Sequence, residues 1–567
     1  MSDYPAGRPR SRAVPNLVVR VSMNISRRLP PLGSSRFVML FAAWLVGVYN
    51  FTAWHALDGL VELHGLARWA FMASFALFLW AAFTLLFIGL SFRPLLKPVL
   101  SVTALGAAAA AYFMNTYGVT IDTPMLQNVV ETNPGEVAAL LSPTLALYLA
   151  LLGALPASLV WLWPIRYARP LRGLLNKVGV ALLSTALLIG AVGTFYSTYG
   201  PLLRQEDKLT HFINPTNFIY ASIKLAKERL GIRQVLTVQA IGTDAVQTSS
   251  GPRKQLMIFV VGETARADHF SLNGYARQTN PELSQLDVLN YTQVHSCGTS
   301  TAVSVPCMFS MFGREAYSDK KGKTVESLLD VFQHAGVKVL WVENNSDCKG
   351  TCLRSPHRDI PKTQPSPYCD GHNCLDEALL EGLQADIDRL DGNAVIFLHS
   401  DGSHGPEYYD RYPKTMERFT PVCHTNQLGS CSSEALNNVY DNTILYTDHF
   451  LARVIGLLQA NQSRYDTSLW YVSDHGESLG ENGLYLHAAP YAIAPEAQKH
   501  VPMVLWFGER TLADAHIDRA CLAARRDDPG LNHDAVFHSL LGLFNVSTSV
   551  YKPELDLFQA CRVAASG

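Results

Sequence analysis

Two hydrophobic rhythms divide this chain of 567 residues. Over the first two hundred, apolar runs near Phe37–Trp54, Trp69–Leu90, Val99–Tyr117, Thr144–Trp163 and Val178–Tyr196 approach the roughly 20 residues that span a bilayer as a helix. Their length, succession and lack of charge exclude the buried helices of a soluble core. From Leu256 onward the runs shorten to strands, "LMIFVV", "VKVLWV", "AVIFLH", "SLWYV" and "VPMVLWF". Helical patterns fall between them: "TVESLLDVFQHAG", "LDEALLEGLQADIDRL", Asp441–Leu458 and a last helix near Asp534–Phe544. Apolar strands separated by helices predict a mostly parallel sheet with helices on both faces. The expected organisation is a tail over 1–36, five transmembrane helices over 37–200, a bridging helix and linker over 201–253, and an α/β domain over 254–567.

Charge and cysteine placement orient this plan. Arg8, Arg10, Arg12, Arg20, Arg27, Arg28 and Arg36 precede the first run, and the loops after the second and fourth are also basic. The remaining two loops contain only Arg68, so the positive-inside rule puts the tail in the cytoplasm and everything after Tyr196 outside. All ten cysteines lie in the outer part. They group as Cys297 with Cys307, Cys348 with Cys352, Cys369 with Cys374, Cys423 with Cys431, and Cys521 with Cys561. Their grouping reads as disulfides in an oxidising compartment rather than as metal thiolates. With 46 Lys and Arg against 48 Asp and Glu, nothing suggests nucleic acid.

Chemistry gathers where strands end, the usual ligand edge of an open α/β sheet. "LMIFVVGE" delivers Glu263; "AVIFLHSDGSHGP" delivers His399, Asp401 and His404; "SLWYVSDHGES" delivers Asp474, His475 and Glu477; "LYLHAAP" adds His487. Carboxylates and imidazoles from separate strands suit zinc. One of them alone would read as a helix cap or a core histidine, and His399 stands apart because alternation can turn it inward. The loop "SCGTSTAVSVPC" offers hydroxyls that a nearby metal would activate, and spacing does not choose among Thr299, Ser300, Thr301 and Ser304. Between the third and fourth runs, Asn128, Thr132 and Glu136 would share one face of a helix, with Pro134 against it. That segment reads as a solvated loop or as a headgroup site.

The motifs "VGETARADHFSLNGY", "SCGTSTAVSVPCMFS", "NNSDCKG", "FTPVC", "YDNTILYTDHF" and "YVSDHGESLGENGLYLH" resemble the phosphoethanolamine transferases that modify lipid A. These are membrane enzymes with a sulfatase-like, alkaline phosphatase-like outer domain. The resemblance implies Thr301 as nucleophile, and one tight zinc held by Glu263, Thr301, Asp474 and His475. It implies His404 and His487 as contacts to substrate or to a second, weaker zinc, and as proton donors to a leaving group. Ser346 and Lys349 match phosphoethanolamine contacts, and Asn128, Thr132 and Glu136 match donor-headgroup contacts. The expected reaction is two-step transfer from phosphatidylethanolamine to a lipid A phosphate by a monomer in the bacterial inner membrane, with the catalytic domain in the periplasm. A lipopolysaccharide core sugar or another envelope glycan is an alternative acceptor, and metal-dependent phosphodiester hydrolysis an alternative reaction. A sulfatase is disfavoured because its signature Cys-x-Pro-x-Arg is not met at Cys307, which is followed by "MFSMF"; a transporter would bury paired charges in its spans, and these contain almost none. The family usually has Gln after the first His of "HSDGSHGP"; here Ser400 and Asp401 bring an extra acid near the site.

Overall fold

The computed structural model describes residues 29–563, apart from 62, 133, 197, 200–201, 203–206, 234–237, 249–252 and 364. The arginines at 8–28 that orient the sequence plan lie outside the described residues. Two compact units emerge: the described residues up to Asn115 with Pro143–Ile219, and Thr116–Ser142 with the chain from Tyr220 onward. The connection between the third and fourth membrane helices therefore belongs to the second unit.

In the first unit, helices Gly65–Ile88, Leu96–Tyr117, Pro143–Leu162 and Pro170–Thr194 are long and apolar enough to cross a membrane. The pair Ser34–Val48 and Phe51–Leu60 is apolar and long enough only when taken together, and it is bent by 63° where a straight helix was expected. The cause sits at the bend: buried Asn50 spends its side-chain amide on the carbonyls of Leu45 (2.9 Å) and Asn214 (2.7 Å). Leu171, Leu174, Leu175, Leu182 and Leu183 stay exposed along Pro170–Thr194, as suits a lipid-facing surface. Phe71, Phe75 and Phe78 instead gather around Tyr199 inside the unit.

The second unit is built on seven strands: β1 (Lys254–Gly262), β2 (Val288–His295), β3 (Lys338–Glu343), β4 (His357–Asp359), β5 (Ala394–His399), β6 (Tyr465–Ser473) and β7 (His500–Phe507). Their order is β2-β7-β6-β1-β5-β3-β4, parallel except that β7 runs against both neighbours. Side chains alternate across the sheet. Met257, Phe259 and Val261 enter one core with helices Thr301–Met308, Leu328–His334 and Asp534–Leu543. Leu256, Ile258 and Val260 enter the other with helices Leu383–Asp388 and Ser433–Ala460. Burial on both faces explains the nearly unbroken apolar runs of the central strands. The long helix expected over "LDEALLEGLQADIDRL" is divided at Gly382, whose φ of 75° a helix does not accept.

All ten cysteines of this unit are joined in five disulfides, and the partners are those the sequence grouping suggests. Cys297 bonds to Cys307, Cys348 to Cys352 and Cys369 to Cys374. Cys423 bonds to Cys431, and Cys521 to Cys561. Four of the bridges close short loops, whereas the last, spanning 40 residues, ties helix Arg519–Ala524 to the carboxyl-terminal turn Gln559–Cys561.

Candidate active site

Strand register assembles the site. Gly262 at the end of β1 pairs with Ser473 at the end of β6, so the next residues, Glu263 and Asp474, emerge side by side with His475 following. Strand β2 also runs parallel to β1, through antiparallel β7, and its carboxyl end feeds the loop 296–300 into the same edge. Helix Thr301–Met308 begins there, so Thr301 stands at a helix N-terminus, which favours anionic groups. The turn after Glu263 is strained: Thr264, a β-branched residue, has φ 51°. Tyr440 holds that turn, donating to the Thr264 carbonyl (2.7 Å) and accepting from Arg266 N–H (2.9 Å). Gly402 closes over it, where a Cβ would meet the Glu263 carbonyl at 2.7 Å.

Thr301 Oγ1 lies 3.1 and 3.3 Å from the Glu263 carboxylate and 3.4 Å from His475 Nε2. The other candidate hydroxyls of the loop are spent elsewhere or shut away. Thr299 donates to the Ala489 carbonyl (2.6 Å), Ser304 donates to the Asp474 carbonyl, and Ser300 Oγ is buried without a partner. His475 Nδ1 donates to the Gly476 carbonyl (2.9 Å), which leaves Nε2 as an acceptor. That acceptor faces Glu263 Oε1 at 3.3 Å and Asp474 Oδ2 at 3.4 Å. Asp474 Oδ1 takes the amides of Thr264 and His475, whereas Oδ2 is buried with no hydrogen-bond partner.

Two buried carboxylates and an imidazole lone pair converging on one space repel one another unless a cation lies between them. Burial lifts Asp474 to about 6 and, with His487 nearby, holds His475 well below its ordinary value, in the neutral form a metal requires. Glu263, Asp474 and His475 are the one His, Cys, Asp or Glu set among the described residues close enough to share an ion. The oxygen and nitrogen donors, with Thr301 Oγ1 as the fourth, fit zinc. Asn345 supports the set from the end of β3, donating to Glu263 Oε2 at 2.7 Å.

The remaining expected residues fall around this centre. His487 is anchored by Glu477 (3.1 Å), and its ring centre lies 4.5 Å from that of His475 and 5.4 Å from that of His404. Burial and then the neighbouring His487 and Arg411 keep His404 neutral. His399 is held in a buried pair with Glu343 (2.9 Å), its partner in the cross-strand register, and is not one of the convergent ligand trio. Asp401 is neutralised by Arg411. Lys349, buried at φ 49°, donates to Ser346 (2.6 Å) and to the Glu131 carbonyl (3.4 Å).

Asn128, Thr132 and Glu136 do not share a helix face. Helix Thr123–Glu131 stops at Thr132, whose backbone is extended, and Pro134 starts a second helix, Pro134–Leu140. Thr132 closes the first helix by donating to the Asn128 carbonyl (2.6 Å), and the Glu136 side chain lies outside the described residues. Helix Thr123–Glu131 packs on helix Thr301–Met308. Sequence reasoning missed Asn345 and also His533, which accepts from Cys297 N–H (3.1 Å), donates to the Ser473 carbonyl (3.0 Å) and so ties the hydroxyl loop to β6. Strand-end reading extended to amides would have found Asn345; nothing in the spacing marks His533.

A hydroxyl at a helix N-terminus, facing buried carboxylate and imidazole groups at the carboxyl edge of a mostly parallel sheet, fits a sulfatase-type domain, here carried behind membrane helices. The Sulfatase family profile matches residues 255–546, and that of "Phosphoethanolamine transferase EptA/EptB" matches 79–230. Phosphoethanolamine transferase EptA of Salmonella typhimurium is 40% identical over 94% of this chain and 98% of its own length. Phosphatidylethanolamine transferase Mcr-1 of Escherichia coli is 40% identical over 82% of this chain and 86% of its own. The solved integral membrane lipooligosaccharide phosphoethanolamine transferase A (EptA) of Neisseria meningitidis superposes with a TM-score of 0.91 at 36% identity, over 94% of this chain and 100% of that one. The chain belongs to the phosphoethanolamine transferase family.

Proposed function

We propose that this protein transfers phosphoethanolamine from phosphatidylethanolamine to a phosphate of lipid A through a covalent intermediate on Thr301. One observation carries the reading: among Thr299, Ser300, Thr301 and Ser304, Thr301 alone faces both Glu263 and His475. Names of relatives support donor and acceptor, since Mcr-1 is a phosphatidylethanolamine transferase and the Neisseria enzyme acts on lipooligosaccharide. In the first step Thr301 Oγ1 bonds to phosphorus, the bond from phosphorus to the glycerol oxygen breaks, and diacylglycerol leaves with a proton. In the second, an acceptor phosphate oxygen bonds to the same phosphorus and Thr301 is released, regaining a proton.

Glu263 and His475 position the hydroxyl, and the first turn of helix Thr301–Met308 turns N–H groups toward the phosphoryl oxygens. When bound by Glu263, Asp474, His475 and Thr301, zinc supplies positive charge that favours an ionised hydroxyl and offsets charge on the phosphoryl group. His404 and His487 carry protons to and from the leaving oxygens, and Ser346 and Lys349 hold the phosphoethanolamine. Asn128, Thr132 and Glu136 meet the donor headgroup. The basic loops and the disulfides favour an inner-membrane protein with this unit in the periplasm. Its product is less anionic, so cationic peptides such as polymyxin bind the envelope less.

Full-length protein mixed with phosphatidylethanolamine alone should release one diacylglycerol per enzyme in a burst and gain one phosphoethanolaminyl group by intact-mass measurement. Thr301→Ala should lose at least about a thousandfold in transfer and show no adduct. Transfer by Thr301→Ala at the parent rate would overturn the reading.

A further inference from the structure

A groove of about 170 Å³ runs along the first compact unit, between helix Ser34–Val48 and the end of span Pro143–Leu162. Phe37, Leu40 and Trp44 line one side, Pro156, Leu159 and Trp163 the other, and every lining residue is apolar. From Phe37 to Trp44 the groove follows two turns of helix, about 10 Å.

Several features build this groove into the fold. Leu149–Ala154 is wound as a wide π-helix, a turn that recurs at functional sites. Pro156 follows and has no N–H for the carbonyl four residues back, that of Leu152. The buried Tyr49 hydroxyl donates to that carbonyl instead, and it accepts from the Trp44 indole (3.2 Å), which fixes this ring in the wall. At the other end Trp163 donates to the Pro30 carbonyl (3.0 Å), and Leu32–Gly33 pairs with Ile165–Arg166.

That end is cationic. Arg36 adjoins Phe37, and Arg166 lies opposite Gly33 in the strand pair; both are exposed and form no ion pair among the described residues. Lys97 donates to the carbonyls of Trp161 (2.8 Å) and Trp163 (3.0 Å), which leaves one of its three N–H donors. The sequence has no Asp or Glu in residues 4–57, 63–121 or 137–205, which take in all of these groups.

An apolar groove ending in unpaired cations fits an amphiphile with an acyl chain and an anionic head. Basic pockets between membrane helices on the cytoplasmic side take anionic lipid head groups, and the basic end is the one the positive-inside rule assigns to the cytoplasm. A zwitterionic lipid would bring an ammonium that no carboxylate meets, and an acidic protein segment would leave the groove unfilled. We propose that this groove binds one anionic phospholipid of that leaflet, an acyl chain along Phe37–Trp44 and the phosphate against Arg36, Arg166 and Lys97. The site is distinct from Thr301, which belongs to the other compact unit, and its lipid is retained rather than consumed. Bound there, the lipid braces helix Ser34–Val48 against the fourth span.

The test titrates full-length protein in detergent with phosphatidylglycerol or phosphatidylethanolamine carrying the same acyl chains, and counts retained lipid by native mass spectrometry. The parent should hold one phosphatidylglycerol at least about tenfold more tightly than phosphatidylethanolamine and gain thermal stability from it. The double variant Arg36→Gln, Arg166→Gln should weaken phosphatidylglycerol binding about twentyfold, roughly fivefold for each cation, and leave phosphatidylethanolamine binding nearly unchanged. Leu40→Trp, which fills the groove and keeps the cations, should also weaken phosphatidylglycerol binding. Any phosphatidylethanolamine held as donor by the second unit is common to all three proteins and cancels in the comparison. Equal retention of the two lipids by the parent, or parent-like retention of phosphatidylglycerol by either variant, overturns the site.

Discussion

Glu131 is the residue through which helix Thr123–Glu131 is tied to the rest of its unit. Its carboxylate, 13% exposed, accepts from Arg229 (2.9 Å) and Lys323 (2.7 Å), while its carbonyl accepts from Lys349. Lys323 also bonds Asp319 (3.0 Å), which accepts from Gln127 on the same helix (2.7 Å). Breaking a fully buried pair costs about 3–5 kcal/mol; here both cations keep access to water and Lys323 keeps Asp319, so Glu131→Ala should cost about 2 kcal/mol. That corresponds to a roughly thirtyfold faster amide exchange across Thr123–Glu131 if the loss falls on local opening. Hydrogen exchange on the full-length protein in detergent reads this directly, and a double-mutant cycle with Lys323→Ala should show non-additivity of about 1 kcal/mol. Because the helix packs on Thr301–Met308, transfer should slow as well. Unchanged exchange across the helix, with additive single effects, would refute the tie.

Two further outcomes follow from buried carboxylates. Burial lifts Asp448 from 3.8 to about 7 although it accepts from the backbone amides of Glu282 and Leu283; the folded protein therefore binds a proton that the unfolded chain releases, and stability should fall by a few kcal/mol as pH rises from about 4 to 7. Asp448→Asn should flatten that part of the unfolding profile, and an identical slope in both proteins would count against it. At the candidate metal centre, Asp474→Asn should abolish tight zinc binding yet leave the metal-free protein as stable as the metal-free parent or more so, because it removes one of two repelling carboxylates. Thermal unfolding with and without chelator separates these effects, and a large loss in the metal-free variant would contradict the cation argument.

The sheet is legible in the sequence wherever strands are buried on both faces, as in β1, β5 and β6, because such strands are apolar throughout. Strand β2, "VLNYTQVH", escapes notice: it lies at the edge, its burial alternates, and Asn290, Thr292 and Gln293 read as loop. The omission matters, since β2 is what brings the hydroxyl loop to the ligand edge. The bend in the first span was likewise invisible, because Asn50 exerts its effect through the carbonyl of Asn214, 164 residues away.

Ligand types at strand ends could be read without a structure because a parallel sheet presents all its carboxyl ends on one edge. Which end faces which could not. Glu263 meets Asp474 because Gly262 pairs with Ser473, and His399 is drawn off to Glu343 because those two pair across β5 and β3. A slip of one residue in either ladder would exchange inward and edge-facing positions, putting a core side chain where a carboxylate now stands. The same reasoning explains why the candidate hydroxyls of one short loop remained indistinguishable. Thr301 differs from Thr299, Ser300 and Ser304 only by its place at the start of a helix, and that helix is aimed by an edge strand the hydrophobic pattern does not reveal. The chemistry at the strand ends is therefore local in sequence, whereas the choice of which hydroxyl faces Glu263 and His475 is a property of strand order.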